Sequence, residues 1–167
     1  MIVTIWRHGQ AGSAFTDRER QLTGTGTDDV GFGCQQFHEV CNERGLSHPD
    51  RILHSTWVRT TQTADIIASA FTHAEMLPVQ ALIPGRAPVD VDHLLEQILA
   101  GADTPRHVVL VSHQPLVSNL VDHYLADGGR VPSLNPGGLV SIELEVAAMG
   151  CGQLLFWSLP PGYEAHV

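Results

Sequence analysis

The stretch Ile2-Val3-Thr4-Ile5-Trp6-Arg7-His8-Gly9-Gln10 decides how the chain is read. It opens as an apolar run with the length and β-branched content of a buried strand. A cation, an imidazole and a glycine then follow in consecutive positions where the strand must end. Gly9 permits a sharp turn or a close backbone approach to a ligand. Arg7 brings a planar fork of donors that matches phosphate or carboxylate. His8 brings a nitrogen that can serve as nucleophile, acid/base or metal ligand. A single Arg-His-Gly tripeptide is common, so its weight depends on the partners supplied elsewhere.

Outward from this stretch, strands and helices alternate. Residues 10 to 22 are polar and read as a loop, after which Thr23 or Thr25 can cap a helix over about 26 to 44. Val30, Cys34, Phe37 and Cys41 line one face of that helix, and Gly45 is its stop. Arg51 to His54 reads as a second strand. Ser55-Thr56 reads as the cap of a helix whose apolar face is Ala64, Ile67, Ala68 and Phe71. Met76 to Leu82 reads as a weak third strand. Pro88 starts a helix carrying Val91, Leu94, Leu95, Ile98 and Leu99. His107 to Val111 is a further buried strand, followed by a helical face of Val117, Leu120, Val121, Tyr124 and Leu125. Leu139 to Val146 then alternates strictly and Leu154 to Leu159 can pair back on it, a terminal β-hairpin. The pattern predicts a three-layer α/β sandwich: a central, mainly parallel mixed sheet flanked by helices. Residues 1–160 are expected to form a single domain, and 161–167 a frayed tail.

Composition narrows the function. The chain has 167 residues and a net charge of -9 with histidines neutral. It has no cluster of basic residues, which argues against nucleic acid and anionic membranes as partners. With no spanning apolar run and no leader-like segment, the default compartment is the cytoplasm. The three cysteines, Cys34, Cys41 and Cys151, fit no metal-ligand spacing and read as reduced thiols. Ten histidines contain no His-x-x-x-His pair, so neither a metal nor another cofactor is expected.

Three segments share one pattern: an apolar strand, a turn bearing a cation or imidazole, then a helix. They are Trp6-Arg7-His8-Gly9, Ser55-Thr56-Trp57-Val58-Arg59 and Val111-Ser112-His113. In a parallel sheet these turns lie together at the carboxyl ends of the strands, where open α/β sheets bind ligands. Each member has a plainer reading. Arg59 can be a solvated helix residue, His113 can bond backbone at a strand end, and Arg7 can pair with Asp17 or Glu19. Together, four such groups at equivalent strand ends point to an anion that neutralises them.

The chain resembles the histidine phosphatase superfamily, which includes phosphoglycerate mutases, and within it the short SixA-type phosphohistidine phosphatases. Arg7-His8-Gly9 matches the signature tripeptide. Arg20-Gln21-Leu22-Thr23 with Gly26 resembles the segment that opens the first helix. Ser55 to Ala64 resembles the second motif, and Val109 to Val117 the segment with the second histidine. The resemblance implies that His8 is a nucleophile that becomes phosphorylated, while Arg7, Arg59 and His113 bind the phosphoryl oxygens. Gly9 is counted with the phosphate-binding residues. Two features depart from many relatives. Gln10 stands where an acidic residue is common, and residues 81 to 107 are too few for the helical lid subdomain that bears a general acid in larger members. Asp90 and Asp92 are the candidate acids in that stretch, although capping a helix suits them better; Asp17 and Glu19 are further candidates.

The implied activity is metal-independent hydrolysis of phosphohistidine on a protein through a phosphohistidine enzyme intermediate, releasing inorganic phosphate in signal transduction. Phosphoryl transfer asks mainly for positioning and for cations around the transferred oxygens, which suits this set. The alternatives are a phosphatase of small phosphate esters and a catalytically silent phosphoprotein-binding module.

Overall fold

The near-continuous apolar runs of the central strands serve two faces at once, and helices cover both. In a computed structural model, which describes residues 1–167, the elements are β1 (Ile2–Arg7), α1 (Gly24–Glu43), β2 (Arg51–His54), α2 (Val58–Ala70), β3 (Glu75–Pro78), α3 (Pro88–Leu99), β4 (His107–Ser112), α4 (Leu116–Leu125), β5 (Leu139–Leu144) and β6 (Gly152–Ser158). They build one six-stranded sheet of order β3-β2-β4-β1-β5-β6. β3, β2, β4 and β1 run parallel, and β5 and β6 add antiparallel at one edge. Val3, Ile5, Leu53, Val108, Leu110 and Val140 point to one face, beneath Val91 and Leu95 of α3 and Leu116, Leu120 and Tyr124 of α4. Trp6, Ile52, Val109, Val111 and Phe156 point to the other, beneath Val30, Phe37 and Cys41 of α1 and Ala64 and Ile67 of α2. The expected three-layer sandwich and terminal hairpin are therefore present. Between β3 and β4 the chain has room only for a 3-10 turn and α3, and no lid subdomain is built. No helix is long and apolar enough to cross a membrane.

A polar thread runs through the α1/α2 side. The Thr4 hydroxyl lies 2.7 Å from both the His107 ring and the Ser141 hydroxyl, while His107 Nδ1 donates to the Ser47 carbonyl at 2.6 Å. All of these strand residues are fully buried, so the network satisfies groups that would otherwise be costly to desolvate.

Three expectations need correction. The third strand ends at Pro78, and a 3-10 turn over Gln80–Leu82 follows. That turn carries Leu82 into the core, where the Ser112 hydroxyl donates to its carbonyl at 2.7 Å. α1 starts at Gly24 rather than 26, because the Thr23 side chain accepts from the Gly26 amide. The tail is not frayed. Tyr163 is 1% exposed, and His166 exchanges two 2.9 Å backbone bonds with Trp157 at the edge of β6. The Tyr163 ring fits against Gly33, where a Cβ would collide with it, and its hydroxyl donates to the Gly137 carbonyl at 3.1 Å. One large aromatic buried in a side-chain-free notch holds down a segment whose composition reads as loose.

Candidate active site

The sheet order places β2, β4 and β1 side by side, so their carboxyl ends share one rim. The β1 end carries Arg7 and His8, the β4 end His113, and the β2 end leads through Ser55 into α2 and Arg59. A cleft of about 360 Å³ opens there, lined by Arg7, His8, Gln10, Asp17, Arg59 and His113 with Arg20, Gln114 and Pro136. The four groups singled out at three strand ends therefore meet. Three of the nine cations of a chain with net charge -9 face this cleft. A larger groove of about 530 Å³ between α1 and α2, lined by Cys34, His38 and Ile66 among others, has no such convergence of charge.

Backbone geometry aims His8. Its Nδ1 lies 2.7 Å from the Gly9 carbonyl, which can only accept, so Nδ1 carries the proton. Arg59 Nε, which can only donate, lies 3.0 Å from His8 Nε2. Both contacts require the same tautomer, with the lone pair on Nε2 facing Arg59. The loop after α4 holds the strand end from behind. The Gly137 amide donates to the His8 carbonyl at 2.9 Å, and the Arg7 amide donates to the Gly138 carbonyl at 2.9 Å. The Arg7 guanidinium donates to the Leu134 carbonyl at 2.8 Å, and its Nε is buried without a protein partner.

Arg59 sits in the first turn of α2 and is only 4% exposed. It stacks over Trp57, with its guanidinium carbon 4.9 Å from the ring centre. Its carbonyl accepts from the Thr63 hydroxyl at 2.7 Å, and that hydroxyl accepts from the Gly9 amide at 3.1 Å. The two arginine-bearing segments are thereby tied together. His113 lies edge-on to His8, with ring centres 5.2 Å apart, and its Nε2 is 2.8 Å from the Ser55 hydroxyl. His113 Nδ1 is buried without a protein partner. Two of the four residues, Arg7 and His113, thus each keep a polar atom without a protein partner.

Electrostatics keeps both rings neutral. Burial, with Arg59, Arg7 and Arg20 nearby, pulls His8 down to about 4 against the opposing pull of the Gly9 carbonyl. Burial, with His8 and Arg59 nearby, pulls His113 down to about 3. Burial also lowers His107, in the core, to about 4. A neutral His8 keeps its nucleophilic lone pair at neutral pH. The same shifts make stability pH-dependent. The unfolded chain protonates these histidines near 6.5 and the folded chain only near 4 or below, so the unfolded state binds more protons in between. Stability is therefore complete above about pH 6.5 and falls as pH drops toward 4, by up to about 1.4 kcal/mol per pH unit for each histidine. Urea midpoints measured from pH 7.5 to 4.5 should fall accordingly. A midpoint that stays level would mean these rings are charged in the fold.

Several assigned residues stand elsewhere. Gly9 does not line the cleft: its amide is bonded to Thr63, and a Cβ there would meet the Gly26 carbonyl at 2.8 Å and Val30 at 2.9 Å. It lets α1 pack on the turn. Asp90 accepts from the Ala87 amide at 2.9 Å as a helix cap, and Asp92 pairs with His123 at 2.8 Å between α3 and α4. Neither reaches the cleft, so neither is placed to be a general acid. Asp17 does reach it. Its carboxylate lies 3.0 Å from Arg20 and 3.3 Å from Arg59, and the Arg20 bond, with Arg59, holds it below the usual carboxylate range. Ionised at neutral pH, it is a poor proton donor. Ser55, read as a helix cap, instead orients His113. Arg20 joins the cleft by donating to the Gly12 and Ala11 carbonyls.

No family model and no curated protein matches the sequence. Solved structures do match. The protein histidine phosphatase SixA, in a complex with tungstate, superposes with a TM-score of 0.74 at 24% identity, over 96% of this chain and 97% of that one. A SixA protein from Agrobacterium tumefaciens gives 0.75 at 21%, over 95% and 97%. Phosphoglycerate mutase from Plasmodium falciparum gives 0.65 at 17%, over 99% and 92%. These alignments run nearly end to end on both sides. The chain has the fold that SixA and phosphoglycerate mutase share.

Proposed function

We propose that this protein is a SixA-type histidine phosphatase that removes phosphate from phosphohistidine on a partner protein. The observation that carries the reading is the His8 tautomer, with its Nε2 lone pair directed at Arg59 in a cleft that Arg7 and Arg20 also line. His8 Nε2 attacks the phosphorus, the P–N bond to the substrate breaks, and the substrate ring, protonated on its other nitrogen, leaves as neutral imidazole. Arg7, Arg59 and His113 hold the three equatorial oxygens as charge spreads over them. Water then attacks the phosphorus of phospho-His8, releases inorganic phosphate and restores the ring. Splitting the hydrolysis in two is covalent catalysis, and the guanidinium groups supply the positive charge.

The fold match to SixA supports the substrate class, and so do two features of the cleft. The carboxyl group in it, Asp17, is held ionised by Arg20 and Arg59, which favours an imidazole over an alkoxide as leaving group. Its mouth is uncovered, and Phe15, on the loop between cleft residues Ala11 and Asp17, is fully exposed to solvent. An aromatic ring so placed suits contact with a protein surface.

Assays on a phosphohistidine protein, an aryl phosphate and an alkyl phosphate test the reading. We expect kcat/KM to fall in that order. Phe15→Ser should raise KM for the protein substrate alone, by about tenfold. Alkyl phosphates turning over as fast as phosphohistidine would replace this reading with that of a small-ester phosphatase.

A further inference from the structure

Arg59 is not free to receive a phosphoryl group. Its Nε donates to His8 Nε2, its Nη1 donates to the Asp17 carbonyl at 2.6 Å, and its Nη2 lies 3.3 Å from the Asp17 carboxylate. The same carboxylate takes Arg20 Nη1 at 3.0 Å, and Arg20 is fixed in turn by the Gly12 and Ala11 carbonyls. One acidic side chain thus bridges two cleft arginines, and one of those caps the lone pair of His8. Asp17 lies on a short surface turn and its side chain is 56% exposed, so it can swing away at small cost. Thr16 bonds Glu19 across that turn at 2.7 Å, which keeps the second acid of the loop off the arginines.

We propose that Asp17 is an internal competitor for the phosphoryl site: its carboxylate holds Arg59 on His8 at rest, and a bound phosphoryl group displaces it. The inference rests on the phosphoryl-binding reading of the cleft. The exchange needs no chemistry, since one anion replaces another on the guanidinium groups and the Arg59–His8 contact opens as the phosphorus approaches Nε2. Its effect is selectivity. A weak or singly charged anion cannot repay the lost carboxylate contacts, whereas a dianionic phosphoryl group makes more of them.

The sign of one substitution separates this role from simple positioning. Asp17→Asn removes the competing charge and one source of repulsion toward an incoming anion. Calorimetry should then show orthophosphate and vanadate binding about tenfold tighter than to the unsubstituted protein, with the gain shrinking in high salt. Asp17→Ser should do the same, and Asp17→Glu should return affinity toward the original value. If Asp17 merely positions Arg59, both neutral variants will bind these anions equally or more weakly, and the proposal is overturned. Binding of neither anion by the unsubstituted protein would overturn the phosphoryl-site reading itself, and the proposal with it. A thermal melt checks that each variant is folded; the turn is exposed and all three changes are accommodated there.

Discussion

His8→Ala should lose at least about 10⁴-fold in kcat while still binding orthophosphate. The loss is large because the ring is the attacking group and no neighbour can replace it. His113, the nearest candidate, has its Nε2 committed to Ser55. Binding survives because Arg7, Arg59 and His113 keep their own supports in the loop after α4, in Trp57 and Thr63, and in Ser55. The substitution removes one acceptor from Arg59 and leaves its two contacts with Asp17, so the guanidinium is not stranded. Steady-state kinetics beside phosphate calorimetry makes the comparison. Residual kcat within tenfold of the original protein would remove His8 from the nucleophile's role.

The second large effect is at Arg59. Arg59→Ala should weaken phosphate and vanadate by about 2–3 kcal/mol, the value of a charge-assisted contact to a largely buried donor. It should also lower kcat/KM by about 10²–10³-fold, because the same donors face charge that grows in the transition state. Arg59→Lys should recover little. A point charge cannot stack on Trp57, reach His8 Nε2 and present a second donor face together. Anion affinity unchanged in the alanine variant would place Arg59 outside the phosphoryl site.

The legible part of the site was the part attached to regular structure. Arg7, His8 and His113 each follow a largely apolar strand, and Arg59 follows a short one by a single helical turn. Period and position were enough to bring them to one rim. The layered architecture and the terminal hairpin needed only the alternation of elements and the two-residue period of Leu139 to Leu144, while the strand order came from the structure. The contacts that stayed hidden, though some of their residues were named, lie in segments without a period. Asp17 and Arg20 sit in a polar loop whose course is set by backbone carbonyls of Ala11 and Gly12, and no spacing rule reports such contacts. Ser55 precedes a helix, so its cap-like position masked its contact with His113. Tyr163 lies among Pro160, Pro161 and Gly162, a composition that reads as a loose end, and its anchor is a notch at Gly33 that only the folded chain reveals. Gly9 shows the reverse error. A glycine beside Arg7 and His8 read as a ligand contact, and in the structure it serves to pack α1 against the turn.

The decisive atom is Nε2 of His8, left unprotonated because Nδ1 donates to the Gly9 carbonyl. Rapid acid-free quenching of a single turnover with labelled phosphohistidine protein, followed by digestion and phosphorus NMR of the labelled peptide, locates the phosphate directly. The account predicts phosphate on Nε2 of His8 in the peptide that contains Arg7-His8-Gly9, and none when His8 is alanine. Phosphate on Nδ1, on His113, or on no residue of the chain while turnover proceeds would contradict it.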